Sequence, residues 1–284
     1  MLVFIKLTNG FGNNLFQYIA GRLLAEFYNK EIVLCPPSTN YYGIKQLTNL
    51  NLEYHDLSTS YNSKKVIIAN NKNYTECFSN KYRNYDIVVD GYFENYQYYL
   101  NHFHKIKSWF QPINKRKDNN LVLHLRTGDR LFYKSEYSST GKPLISIESV
   151  ERAIKKINFN QLFIVSDLPK FEIIGMKTLK SYQFHIRPNP SEPIIYQWAL
   201  DYHNDIIKML SQFSPVFQNK EIYKDFNTIR SFKNIIFQHS TTAWWASVLS
   251  DAETVGVYGP WRPFKGKTNK NLSNVPLSGW YKWD

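Results

Sequence analysis

The fold is decided by residues 2–34, which read LVFIKLTNGFGNNLFQYIAGRLLAEFYNKEIVL. Residues 2–7 form a short apolar run that ends at an Asn-Gly pair, and this pattern predicts a buried strand. Apolar residues then recur at helical spacing over residues 14–28, and residues 31–34 predict a second strand. A strand, a glycine-containing turn, a helix and another strand in this order are typical of an α/β unit with parallel strands.

The rest of the chain continues this alternation. Residues 112–120 are polar and basic, which predicts a linker between two α/β domains, residues 1–113 and residues 120–284. One option is that the tail from residue 259 packs back on the first domain. Further strands are predicted at 65–69, 87–90, 121–125, 161–165, 182–186, 234–237 and 254–258, and further helices at 97–110, 147–157, 193–213 and 241–249.

Composition excludes several protein classes. The net charge of +12 favours anionic partners, but the basic residues are scattered and no nucleic-acid-binding module is recognisable, so we expect no nucleic-acid partner. The densest basic run, Lys115-Arg116-Lys117, predicts a linker or a solvated turn. Cys35 and Cys77 lack the spacing of a zinc site or a disulfide framework. Without an apolar stretch of about 20 residues, we expect a cytoplasmic protein, with peripheral membrane association as an option.

The segment His124-Leu125-Arg126-Thr127-Gly128-Asp129 directly follows a predicted strand. Strand alternation places His124 and Arg126 on one side, near the carboxyl end where open parallel sheets bind ligands. The planar guanidinium of Arg126 matches phosphate, and Asp129 is placed to orient it. The alternative is a surface ion pair at a strand end. An ion pair alone does not explain why His, Arg, Gly and Asp occur together at one strand exit.

Three other segments also stand at predicted strand exits. Glycines at 10 and 12 let backbone amides approach a ligand, although the alternative is a tight turn. Ser240 or Thr241 suits either a helix N-cap or a phosphate, and plain capping leaves His239 unexplained. Ser166 and Asp167 fit a ligand contact and an N-cap or turn equally well. The helix after Ser240 is predicted to bury its Trp-Trp pair in the core.

These segments, in this order, resemble the α-1,2-fucosyltransferase family. The matching stretches share the family's residue types at the family's spacing, from Gly10 to Trp261. They are residues 10–18 (with Asn14 where the family has Gln), 90–94 (Asp-Gly-Tyr-Phe-Glu), 124–129, 166–167 and 239–245, with a looser match at 259–261. The chain departs from the family at Thr127, His239 and Ala243, where the family has Arg, Asn and Ser, and these departures leave the base and the sugar of the donor open.

The resemblance implies a GT-B-like α/β fold, with two Rossmann-like domains facing a central cleft and the donor held mainly by the second domain. It implies an inverting transfer of fucose from GDP-fucose, with the nucleotide-sugar as co-substrate, no further cofactor and no metal. The sequence also favours a site without a metal, because it has no Asp-x-Asp pair of the kind that holds a metal ion on a nucleotide-sugar. The expected acceptor is a hydroxyl of an oligosaccharide or a lipid-linked glycan.

Each segment receives a predicted role. We expect Arg126, Asp129 and His124 at the catalytic centre, with Arg126 on the leaving diphosphate. Three alternatives remain open: the same fold with another nucleotide-sugar, a basic nucleic-acid-binding protein, and a lectin-like module without turnover. The donor-binding set is Arg126, Asp167, His239, Ser240, Thr241, Gly12 and Asn13, and the acceptor-side set is Gly10, Asn14 and Glu94.

Overall fold

The chain folds as mixed α/β with parallel sheets, consistent with a Rossmann-like fold. Contacts between residues divide the described part of the chain into two compact units, the first ending at Pro112 and the second beginning at Ile113. Each unit has its own sheet. The computed structural model describes residues 1–8, 10–35, 47, 49–54, 65–126, 146–166, 197–218, 220–238, 240–258 and 280–283.

The first unit contains a four-stranded sheet in the order β2-β1-β4-β3, and every pair of neighbours is parallel. Parallel strands need crossover connections, and the first crossover is the long helix predicted from the sequence. The predicted helix at 97–110 is instead two short 3-10 turns followed by one α-helix. The elements are β1 (Leu2–Lys6), α1 (Phe11–Tyr28), β2 (Glu31–Cys35), β3 (Val66–Ala69), β4 (Asp86–Val89) and α2 (Phe103–Ser108).

Helix α1 lies very close to strand β1. Fourteen of its 18 residues are buried, so it is a core helix rather than an amphipathic surface helix. A Cβ atom built on Gly21 would lie 2.4 Å from Cδ1 of Ile5, which is itself fully buried. Gly21 is therefore the residue that permits this approach. The helix ends at Asn29, whose left-handed conformation (φ 53°) lets its N–H bond the carbonyls of the last turn.

The second unit contains a six-stranded sheet in the order β10-β9-β8-β5-β6-β7, again with every neighbouring pair parallel. Its strands are β5 (Leu121–Leu125), β6 (Leu162–Ser166), β7 (Val216–Gln218), β8 (Asn234–Phe237), β9 (Thr254–Tyr258) and β10 (Trp280–Trp283). Its helices are α3 (Ile147–Lys155), α4 (Gln197–Ser211), α5 (Ile222–Arg230) and α6 (Thr241–Val248).

The core of the second unit lies between one face of its sheet and two helices. Alternate residues of β5 point to this face, together with Ile236 of β8. Helices α3 and α4 cover them. The buried cluster includes Leu121, Leu123, Leu125, Val150, Ile154, Ile164, Ile206 and Leu210.

Several predictions about the second unit need correction. Strand β7, helix α5 and strand β10 were not predicted, and β10 joins the second sheet beside β9. The predicted strand at 182–186 and the tail from 259 to 279 lie outside the described residues. The Trp-Trp pair is buried, as predicted, with Trp244 1% and Trp245 0% exposed.

The basic run at 115–117 is not simply a solvated turn. The guanidinium carbon of Arg116 lies 4.4 Å and 4.5 Å from the ring centroids of Phe163 and Phe232. Its backbone N–H donates to the Ser231 carbonyl at 2.9 Å. A cation stacked on two rings ties this segment to the second unit.

The Gly21 contact predicts a measurable penalty for a methyl group. Gly21→Ala should lower the free energy of unfolding by about 1–3 kcal/mol, because overpacking against Ile5 outweighs the better helix propensity of alanine. Urea denaturation of Gly21→Ala, Ile5→Ala and the double variant would measure it. The double variant should be more stable than the sum of the two single effects implies. Strict additivity would contradict the close packing.

Candidate functional site

The second sheet has a topological switch between β5 and β8. From β5 the chain adds β6 and then β7 on one side, and afterwards returns to add β8, β9 and β10 on the other. In an open parallel sheet, the connections leave in opposite directions at such a point, and ligands bind beyond the carboxyl ends of the two strands. The carboxyl ends of β5 and β8 therefore define the candidate site.

The exit of β5 carries two of the predicted catalytic residues. His124 pairs with Phe237 of β8 and Val165 of β6, and its side chain is half-buried. Strand alternation places it on the face opposite to the core residues Leu123 and Leu125. Arg126 is the first residue after the strand and is also half-buried. The predicted Asp129 lies outside the described residues, so its place beside Arg126 stays a prediction.

Ser166 ends β6 and holds the exit of β5. The residue is buried, it pairs with Leu125, and its hydroxyl donates to the Leu125 carbonyl at 2.6 Å. This cross-strand bond differs from both roles considered for Ser166 from the sequence. This hydrogen bond fixes the backbone that leads into Arg126. Asp167, the predicted donor-binding residue beside it, lies outside the described residues.

The exit of β8 leads into a capped helix. The Ser240 hydroxyl accepts a hydrogen bond from the Ala243 N–H at 3.2 Å, and Ser240 has the extended conformation of an N-cap. Thr241 is the first residue of α6 and is half-buried. The N-terminus of α6 brings a partial positive charge to the sheet edge next to the exit of β5. His239 lies outside the described residues.

Gln238 is a residue of this edge that the sequence analysis missed. It is the first residue after β8 and is 1% exposed. Its side-chain oxygen is buried and has no hydrogen-bond partner in the part of the chain that the structure describes. The sequence could have indicated Gln238, because it is a long polar residue directly after the apolar run Ile235-Ile236-Phe237 and directly before the motif at residues 239–245.

The first sheet has its own switch, between β1 and β4. Strand β2 lies on one side of β1, and β4 and β3 lie on the other. Helix α1 follows β1 through Gly10, whose φ of 138° is a conformation that other residues rarely adopt. Gly12, buried, and Asn13, half-buried, lie in the first turn of α1. The predicted Gly10 turn therefore lies at a sheet edge where ligands bind in this class of fold.

Two buried amides hold this turn in place. The Gln17 side chain accepts a hydrogen bond from the Thr8 N–H at 3.0 Å and donates to the Gly91 carbonyl at 2.8 Å, which joins the exits of β1 and β4. Asn14 also accepts from the Thr8 N–H, at 3.2 Å, and is fully buried. The structure thus gives Asn14 a positioning function, and its contact with an acceptor stays a prediction.

The segment after β4 is fastened to Asn71. A Cβ atom on Gly91 would lie 2.3 Å from the Asn71 side-chain oxygen, which accepts from the N–H groups of Tyr92 and Phe93 at 3.0 and 3.3 Å. Burial raises the pKa of Tyr99 well above its ordinary value, so its neutral hydroxyl donates to the Phe93 carbonyl at 2.7 Å. Glu94 follows and is 2% exposed. This packing fixes the backbone around Glu94.

The predicted residues thus fall into two groups, one at the switch of each sheet. Arg126, His124, Ser240 and Thr241 belong to the second unit. Gly10, Gly12, Asn13, Asn14 and Glu94 belong to the first. No group of three or more His, Cys, Asp or Glu side chains suited to a metal ion occurs within the described residues. The helices described also include none that is long and apolar enough to cross a membrane.

Comparisons with known proteins add little to this geometry. No family model matches the chain, and no curated protein matches its sequence. A solved structure that resembles it is the crystal structure of NodZ α-1,6-fucosyltransferase soaked with GDP-fucose, at 11% sequence identity and a TM-score of 0.37. The superposition covers 89% of this chain and 93% of that one. A TM-score this low supports no conclusion about function.

Proposed function

We propose that the protein is an inverting glycosyltransferase that binds a nucleotide-sugar in its second unit. The observation that carries this proposal is the switch between β5 and β8, where Arg126 follows one strand and the capped start of α6 follows the next. A guanidinium and a helix N-terminus at one sheet edge suit a diphosphate. The motif of residues 124–129 and its order among the other segments support the same function.

The leaving diphosphate is the group that needs stabilising. An acceptor hydroxyl attacks the anomeric carbon, the bond from that carbon to the diphosphate breaks, and the configuration inverts. Negative charge then grows on the diphosphate. Arg126 offers paired donors in a planar fork, and the start of α6 adds backbone N–H groups. With the Arg126 cation and the dipole of α6 in place, the proposed reaction needs no metal. His124 shapes the same site.

The proton of the acceptor hydroxyl needs a base. The candidates are Glu94, Asp129, Asp167 and His239, and an oxocarbenium-like transition state reduces the demand on any of them. Of these, Glu94 is the described residue, and it lies in the first unit. We assign this unit to the acceptor, with Gly10 and Asn14 forming the turn that faces it.

The proposed donor is GDP-fucose, in a GT-B-like arrangement of two Rossmann-like domains facing a cleft. The five ordered motif matches support both. The proposed acceptor is an oligosaccharide or a lipid-linked glycan, encountered in the cytoplasm or at a membrane surface. No other cofactor is required by this mechanism.

A nucleotide panel tests the class and the donor together. GDP should raise the unfolding temperature, and UDP, CDP and ADP should raise it less, because a ligand at 100 times its Kd stabilises the folded state by about 2.7 kcal/mol. Differential scanning fluorimetry at equal ligand concentrations would measure this. Stabilisation by UDP alone would exclude the fucosyl donor. Salt-sensitive DNA binding without any response to nucleotides would exclude the transferase.

Arg126→Ala should weaken GDP binding about 10- to 100-fold, because a charge-assisted hydrogen bond to phosphate contributes about 1.5–3 kcal/mol. Isothermal titration calorimetry would measure the affinity, and donor hydrolysis would measure turnover. The matched control is Arg152→Ala, which removes the same charge from the last turn of α3. A folded Arg126→Ala variant with wild-type affinity and turnover would show that the phosphate assignment is wrong.

Two substitutions at Ser240 separate helix capping from phosphate binding. Asn and Asp cap helices about as well as Ser, so Ser240→Asn and Ser240→Asp should both unfold near the wild-type temperature. Only Ser240→Asp places a negative charge where we expect the diphosphate, and it should abolish GDP binding, while Ser240→Asn retains most of it. Equal GDP affinity of the two folded variants would remove α6 from the donor site.

A further inference from the structure

Gln238 lies at the same edge of the second sheet as the two features of the proposed donor site. It lies one residue beyond the pair formed by His124 and Phe237, which places it next to Leu125 at the exit of β5. It also precedes the N-cap Ser240 by two residues. Its exposed fraction is 1%, so solvent does not satisfy its amide.

The oxygen of this amide is an exception among buried polar atoms. Nearly all such atoms in folded proteins have a hydrogen-bond partner, because burial without one is unfavourable. Among the described residues, the Gln238 side-chain oxygen has none. A methionine would fill a similar volume without that penalty, so packing alone does not account for a glutamine here. A ligand that donates a hydrogen bond at this position would account for it.

We propose that the Gln238 amide oxygen accepts a hydrogen bond from the nucleotide-sugar donor at the switch between β5 and β8. This inference rests on the proposed function. The ligand group is a hydrogen-bond donor that flanks the diphosphate: a hydroxyl of the ribose or of the transferred sugar, or a ring N–H of the base. Gln238 is then a specificity-determining residue, because a site built to bond a ligand N–H or O–H discriminates against ligands that lack it.

The same sheet offers a matched control. Gln218 ends β7, and its side-chain oxygen is also buried without a partner within the described part of the chain. Strand β7 is the edge strand on the far side of β6, so Gln218 is separated from the switch by two strand positions. The two glutamines share the unfavourable burial and differ in their distance from the proposed donor.

The experiment compares Gln238→Met with Gln218→Met. Without ligand, both variants should unfold at a temperature roughly 2–4 °C above the wild type, because each loses an unpaired buried oxygen. Isothermal titration calorimetry with GDP, 2′-deoxy-GDP and GDP-fucose then measures binding. Gln238→Met should bind at least one of these ligands about tenfold more weakly than the wild type, and Gln218→Met should bind all three like the wild type.

The pattern across ligands identifies the group that donates to Gln238. Equal losses for GDP and 2′-deoxy-GDP indicate the base or the ribose 3′-hydroxyl, a loss for GDP but not for 2′-deoxy-GDP indicates the ribose 2′-hydroxyl, and a loss confined to GDP-fucose indicates the sugar. If Gln238→Met does not fold, Gln238→Asn, which withdraws the oxygen from the ligand, replaces it and should show the same weakening.

Wild-type affinity of a folded Gln238 variant for all three ligands would overturn the inference while leaving the proposed function intact. A wild-type protein that binds none of the three ligands would overturn the proposed GDP-fucose donor, and one that also fails to bind UDP, CDP and ADP would overturn the proposed function itself.

Discussion

The parallel pairing of β5 with both β6 and β8 is the constraint on which the candidate site depends. Parallel strands all direct their carboxyl ends to one edge of a sheet, because each crossover returns the chain to the opposite edge. Residues 124–126, Ser166 and Ser240 are far apart in sequence, yet this pairing brings their backbones to the same edge. The switch in strand order between β5 and β8 then opens that edge to a ligand.

Positive charge at this edge comes from two physically different sources. Arg126 supplies a full charge on a flexible side chain, and the start of α6 supplies a partial charge fixed by the helix. The helix start stays in position because Ser240 caps it and because Trp244 and Trp245 are buried beneath it. A preorganised dipole beside an adaptable cation would suit the leaving diphosphate of the proposed reaction.

The first three elements of the fold could be read from residues 2–34. The strands and the helix predicted there correspond to β1, α1 and β2, because apolar spacing reports local conformation directly. The prediction missed β7, a strand of three residues, and it also missed α5, although Ile222, Phe226 and Ile229 recur there at helical spacing. The sequence also did not predict the role of Ser166, because its cross-strand hydrogen bond depends on Leu125, a neighbour 41 residues away.

The sequence by itself determined where most of the described strands and helices form, and that Arg126 and Ser240 stand at strand exits. These properties depend on a few adjacent residues, so they are visible in one dimension. Only the tertiary structure decided that β5 lies beside β8, that Asn14 and Gln17 hold the turn before α1, and that the Gln238 oxygen is buried without a partner. Strand order and the pairing of buried polar atoms depend on contacts between residues distant in the chain, and no local pattern specifies them.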